Sequence, residues 1–347
     1  MNLKPVLVLL ALTLGATHIA NAAAKPAAGH HERIVVHSAA LVGNLAGDST
    51  DRHVSVYLPP SYSRDTKRRY PVLYLLHGFT DSDSKWFGLE GKHFVNVPKA
   101  ADAAVANGVP EMIIVMPNAL NRYGGSFYSN SVVIGDWETF VTRELVRYVD
   151  AHYRTLARPE SRGLAGHSMG GYGTLRLGMK APGIFSALYA MSPCCVAANL
   201  DPDPKMFERV ANVHSPDDIA SQDFMTKAML AGAAAWSPNP KNPPLYVNLP
   251  VVDGKLMADV VAEGAANAPL AMLPQYIPAL KTYRALGIDA GDKDQPIADT
   301  VKALHVRLDD FSIAHSFEIY DGDHVNRIED RLTNKVLPFF GERLKSK

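Results

Sequence analysis

Gly166-His167-Ser168-Met169-Gly170-Gly171 has the pattern G-x-S-x-G, in which a strand breaks sharply into a helix and lifts a serine hydroxyl to the edge of a sheet. Strand and helix come so close in such a turn that the flanking positions have no room for side chains, hence the glycines. The context agrees. Arg162-Gly163-Leu164-Ala165-Gly166 just before is short, small and apolar, as a buried parallel strand should be. Tyr172-Gly173-Thr174-Leu175-Arg176-Leu177-Gly178-Met179 just after reads as a helix that Ala181-Pro182-Gly183 ends. The stretch predicts an α/β fold built on a mostly parallel sheet, with Ser168 as candidate nucleophile.

Working outward, residues 70–76 form a continuous apolar run fit for a central strand, and it ends in His77-Gly78-Phe79-Thr80. Further strands are expected at 111–117, 185–191, 283–290 and 316–320, with helices at 97–106, 137–153, 297–311 and 325–344. Residues 31–41 and 53–58 read as an antiparallel entry pair. This strand–helix rhythm breaks over about 197–281, where Pro238, Pro240, Pro243, Pro244 and Pro250 accompany Met206, Phe207, Met225, Met229, Trp236, Met257 and Met272. That stretch is expected to be a cap insertion over the sheet edge; methionine-rich surfaces adapt to varied apolar ligands.

At the N-terminus, Lys4 precedes the apolar run Pro5 to Leu14, and Ala20-Asn21-Ala22 offers an A-x-A cleavage site. Residues 1–22 therefore read as a secretory signal peptide, too short in its apolar part to span a bilayer, and 23–31 as a leader. Residues 32–347 are left for one domain with its insertion, exported to a periplasm or beyond the cell. The 35 basic and 35 acidic residues balance, and no basic stripe is present, which argues against a nucleic-acid partner. The two cysteines, Cys194 and Cys195, are adjacent. Adjacent cysteines rarely bridge each other, so the core rather than disulfides is expected to hold the fold.

Serine needs a base to become a nucleophile, and the base needs an acid that fixes its tautomer. Along such a chain the order is Ser, acid, His. His324 follows the last strand in a glycine-containing turn, Asp321-Gly322-Asp323-His324, and is the candidate base. His77 and His167 precede the key residues of their loops, and His305 and His315 fall in or beside regular elements. For the acid, Asp289, Asp292 and Asp294 compete; Asp289 falls inside a strand, where a carboxylate is structural, and of the two loop residues Asp294 is favoured. The amides of Phe79 and Met169 are the candidate oxyanion donors. Trp86 on the expected cleft rim, Tyr128 in the loop Gly124-Gly125-Ser126-Phe127-Tyr128, and Trp236 in the insertion are candidate substrate contacts. No H-E-x-x-H pattern or Cys/His cluster with ligand spacing calls for a metal, and no cofactor is expected.

With these residues in view, the chain resembles the secreted α/β-hydrolase esterases that include feruloyl esterases, S-formylglutathione hydrolases and mycolyltransferases. The carriers are Leu75-Leu76-His77-Gly78, Gly125-Ser126-Phe127-Tyr128, Trp137-Glu138-Thr139-Phe140, the Gly166–Gly171 turn and Gly322-Asp323-His324. In feruloyl esterases the acid closes a G-x-x-D turn about thirty residues before the histidine, and Gly291-Asp292-Lys293-Asp294 stands at that distance from His324. The resemblance implies an α/β-hydrolase fold and a serine carboxylesterase acting on a small or polymer-linked ester. Its mycolyltransferase branch implies the alternative of acyl transfer to a sugar or lipid alcohol. A catalytically silent binding protein would have lost a member of the Ser-Asp-His set, and none is lost. The long insertion departs from the family pattern.

Overall fold

Apolar runs that do not alternate need burial on both faces, and the computed structural model gives it to them. It describes Met1, residues 28–210 and residues 213–347. The expected signal peptide beyond Met1 and most of the leader lie outside the described residues. Eight strands form one sheet: β1 (His30–His37), β2 (Asp51–Leu58), β3 (Val72–Leu76), β4 (Ile113–Pro117), β5 (Arg162–His167), β6 (Ala187–Met191), β7 (Ala285–Gly291) and β8 (Ser316–Tyr320). Their spatial order is β1-β2-β4-β3-β5-β6-β7-β8. Pairings β1–β2 and β2–β4 are antiparallel; every pairing from β4 to β8 is parallel. β1 starts at His30, opposite Leu58, so His30 and His31 belong to the sheet rather than to a leader.

The helices are α1 (Val97–Ala106), α2 (Trp137–Thr139, a wider π-helical turn Phe140–Glu144, and Leu145–His152), α3 (Met169–Lys180), α4 (Phe224–Trp236), α5 (Ala258–Ala266), α6 (Pro269–Leu280), α7 (Ile297–Asp310) and a C-terminal α8. The last runs Ile328–Arg331, a π-helical turn Leu332–Val336, and Leu337–Arg343. Successive strand side chains point to opposite faces, which divides the core in two. Val72, Tyr74 and Leu76 of β3 pack in one layer with Phe140, Leu145, Leu177 and Leu304. Leu73 and Leu75 pack in the other with Ala100, Ala104 and Phe340. Helices thus cover both faces. Among the described residues no helix is long and apolar enough to cross a membrane.

The parallel strands end level: Leu76 pairs with Gly166, His167 with Met191, Met191 with Asp289 and Gly291 with Tyr320. Every loop that follows β3, β5, β6, β7 and β8 therefore leaves from the same edge of the sheet. Ligands of open parallel sheets bind at that carboxyl edge.

The insertion is smaller than the sequence suggests. The Leu270 N–H donates to the Val196 carbonyl at 3.0 Å, so the excursion closes on itself there. α6 packs against α3 and serves as the ordinary crossover helix between β6 and β7. Its two internal prolines, Pro274 and Pro278, hid it in the proline-rich stretch. The segment that leaves the strand–helix rhythm thus runs from about 197 to 268, lies almost wholly inside the excursion closed by that bond, and contains α4, α5 and a two-stranded ribbon, Val251–Val252 with Lys255–Leu256.

Candidate active site

The turn between β5 and α3 owes its shape to contacts that only glycine permits. A Cβ on Gly166 would sit 2.2 Å from the Gly170 carbonyl oxygen, and one on Gly170 2.0 Å from that of Leu76. Between them Ser168 takes φ 57° and ψ −115°, a conformation costly to an L-residue. Three hydrogen bonds hold it: its N–H donates to Met191 O at 3.0 Å, and its carbonyl accepts from Tyr172 at 2.9 Å and Cys194 at 3.2 Å. Its hydroxyl stands at the N-terminus of α3.

His324, after β8, reaches back over the sheet edge. Its Nε2 lies 2.9 Å from Ser168 Oγ and its Nδ1 2.8 Å from Asp294 Oδ2. Asp294 is 7% exposed and closes the turn after β7, its N–H donating to Gly291 O at 3.1 Å. That turn is tied to the His324 loop by the Gly322 N–H, which donates to Asp292 Oδ1 at 3.0 Å, and a Cβ on Gly291 would meet Gly322 O at 2.3 Å. Of the three competing acids, Asp294 is the one on the imidazole. Asp292 ties the two loops, and Asp289, inside β7, accepts from Arg331 at 2.6 Å and Tyr189 at 2.9 Å. Burial pushes the Asp289 carboxyl up and Arg331 opposes it.

The other histidines divide as their hydrogen bonds dictate. His77 is fully buried; its Nε2 accepts from the Ala119 N–H and its Nδ1 donates to Gly78 O, both at 2.8 Å. It braces the loop that carries Phe79. His167 Nε2 donates to the His324 carbonyl at 2.8 Å. Burial above all, and then proximity to His324, push the His167 imidazole down to about 3, so it stays neutral. His305 and His315 lie away from the site, with Nδ1 of the first 2.8 Å from Nε2 of the second.

Met169 follows Ser168 in the chain, and Phe79 borders the same cavity as Ser168. Met169 opens α3, so its N–H has no intrahelical acceptor, and among the described residues neither amide donates to another group of the chain. Phe79, Ser168 and His324 border a cavity of about 270 Å³, together with Lys85, His93 and Phe224. Phe224, from the insertion, meets Phe79 edge-on at 5.5 Å. The sequence reading missed Phe224; its place beside Asp223, a capping residue at the start of a helix, marked the element but not its direction.

The candidate substrate contacts are corrected. Trp86 is fully buried and donates from Nε1 to Asp81 Oδ2 at 2.7 Å. Tyr128 is fully buried and donates to His77 O at 3.0 Å. Both support the site from behind. Trp236 borders a different, larger cavity of about 330 Å³ inside the insertion, with Met206, Phe207, Met225 and Cys195; its ring packs on Phe127 at 4.8 Å.

Residues 49–266 match the family described as "Putative esterase". An esterase of Mycobacterium tuberculosis is 38% identical over 139 residues, 39% of this chain and 27% of the relative. The endo-1,4-beta-xylanase/feruloyl esterase of Xylanibacter ruminicola is 31% identical over 140 residues, 38% of this chain and 18% of that one. The matches thus span about a quarter or less of these relatives' lengths. Among solved structures, a ferulic acid esterase superposes with a TM-score of 0.65 at 22% identity, over 92% of this chain and 99% of that one. S-formylglutathione hydrolase from Staphylococcus aureus gives 0.58 at 18% identity, over 90% and 99%. The likeness is one of fold, the α/β-hydrolase fold. The family match stops short of Asp294 and His324, whose relation to Ser168 rests on the geometry above.

Proposed function

The chain belongs to this esterase family, and from that premise we propose that it hydrolyses carboxylic esters through an acyl-enzyme on Ser168. One observation carries the reading: Ser168 Oγ, His324 Nε2, His324 Nδ1 and Asp294 Oδ2 form one hydrogen-bonded line, 2.9 Å and 2.8 Å in its two links, beside two amides that donate to no other group among the described residues. His324 takes the proton of Ser168 as the hydroxyl attacks the ester carbonyl, and Asp294 holds the imidazolium that forms. The amides of Phe79 and Met169, with the N-terminal dipole of α3, hold the tetrahedral oxyanion; one such donor is worth about 3–4 kcal/mol. His324 then gives its proton to the leaving alcohol, and water repeats the cycle on the acyl-enzyme.

The aromatic wall of Phe79 and Phe224 supports an aryl or short acyl group as the acid part of the substrate. The feruloyl esterase relative points the same way. Initial rates on p-nitrophenyl acyl esters and methyl hydroxycinnamates, run beside Ser168→Ala, test the proposal. Wild type is expected to turn over and the alanine variant to lose about 10³-fold or more; equal rates would remove Ser168 from the mechanism. A new ester formed with added alcohol would instead make the protein a transferase. Export belongs to the proposal through the N-terminal signal pattern, and sequencing the N-terminus of the mature protein checks it.

A further inference from the structure

Cys194 and Cys195 follow β6, and neither borders the triad cavity. Their Sγ atoms are 3.1 Å apart, Cys195 donating to Cys194. Cys195 is exposed and holds φ 57°. It borders the 330 Å³ cavity of the insertion, while the Cys194 N–H is one of the three hydrogen bonds on Ser168. The backbone here is anchored: a Cβ on Gly171 would touch Pro193 Cα at 2.9 Å, and Ser192 N–H donates to Asp289 O at 2.8 Å.

We propose that this pair is a reversible oxidation site, closing to a disulfide across the single peptide between the two residues when it meets a small disulfide of the glutathione type. Two features of the chain support it. The thiols already face each other rather than diverging, so closure needs about 1 Å of sulfur movement toward an ordinary S–S bond. The exposed partner, Cys195, is also the accessible one for the first attack. Its thiolate displaces one glutathione thiolate and forms a mixed disulfide. Cys194 then loses its proton and attacks the Cys195 sulfur, releasing the second glutathione. Two protein thiols and one glutathione disulfide give one protein disulfide and two glutathione thiols.

Neighbouring Cα atoms across a trans peptide are about 3.8 Å apart, against about 4.4–6.8 Å in ordinary disulfides. The ring is therefore strained, and strained, exposed disulfides are the easily reduced ones. The ring would adjoin the nucleophile turn through the Cys194 N–H and the larger cavity through Cys195.

The test incubates the reduced full-length protein with excess glutathione disulfide and follows intact mass and iodoacetamide uptake. The expected product has lost two hydrogens, takes up no iodoacetamide and regains both thiols with dithiothreitol. Cys194→Ser is expected to stop at the mixed disulfide, because nothing remains to resolve it. Wild type that stops at a stable glutathione adduct, pairs into covalent dimers or keeps two alkylatable thiols would overturn the proposal. None of these readouts depends on ester hydrolysis, so failure here and failure of the esterase reading are separate events.

Discussion

His167 sits inside the Gly166–Gly171 turn beside Ser168, yet it holds the proposed base rather than the serine: its Nε2–H anchors the carbonyl of His324. Because burial lowers its folded value from 6.5 to about 3, the unfolded chain binds a proton there that the native chain refuses. The contribution of His167 to stability is thus complete above about pH 6.5 and is lost as the pH falls toward 3, at up to about 1.4 kcal/mol per pH unit. His167→Gln keeps an N–H donor without the titration. Its stability, measured by urea unfolding at about pH 6.5, 5.5 and 4.5, is expected to fall less steeply than that of wild type; parallel curves would show that His167 is not the buried neutral group described. At this scale the sequence was most legible where chemistry restricts choice. The places of Ser168, His324 and Asp294 at the sheet edge were readable because each stands within a few residues of a strand end. Trp86, Tyr128 and Phe224 were not, because an aromatic residue in a loop packs inward or outward according to partners distant in sequence, such as Asp81 and the His77 carbonyl.

Elements were legible in proportion to the simplicity of their burial. β3, β4 and β6 are buried at every position, and a bare apolar run says as much. α1 fell at its expected bounds, helped by Asn96 as cap. The π-helical turns in α2 and α8 leave no pattern, since they shift a helical face by one residue without breaking it. α6 was missed because proline argues against helix. The nucleophile turn gives an element-scale prediction. Gly170→Ala drives a methyl into the Leu76 carbonyl and is expected to cost about 2 kcal/mol or more and to abolish activity. Gly264→Ala in α5, where a Cβ meets nothing within 4 Å, is expected to gain about 0.5–1 kcal/mol. Thermal unfolding of the pair checks both signs; a stable Gly170→Ala protein would mean that the turn is looser than its contacts imply.

For the molecule as a whole, the sheet and its edge loops carry the Ser168–His324–Asp294 line, and the excursion after β6 adds Phe224 to the cavity wall and a chamber of its own. Its boundary could not be read in the sequence because the closing contact, Leu270 to Val196, joins residues far apart in the chain. That contact makes a deletion reasonable: joining Val196 to Ala268 through a short glycine–serine linker spans ends that already meet, and loop closure depends only weakly on the length removed. The shortened protein is expected to lose only the helical circular dichroism of α4 and α5 and to keep a cooperative transition at a lower midpoint, since α4 no longer covers Phe127 and Tyr172. Loss of cooperativity would make the insertion part of the folding unit. The wider consequence concerns descent rather than stability. An excursion whose two ends share one hydrogen bond can be lengthened, replaced or exchanged between genes without shifting any strand pairing, so the Phe224 wall and its adjoining chamber can be rewritten while the Ser168–His324–Asp294 line stays in register.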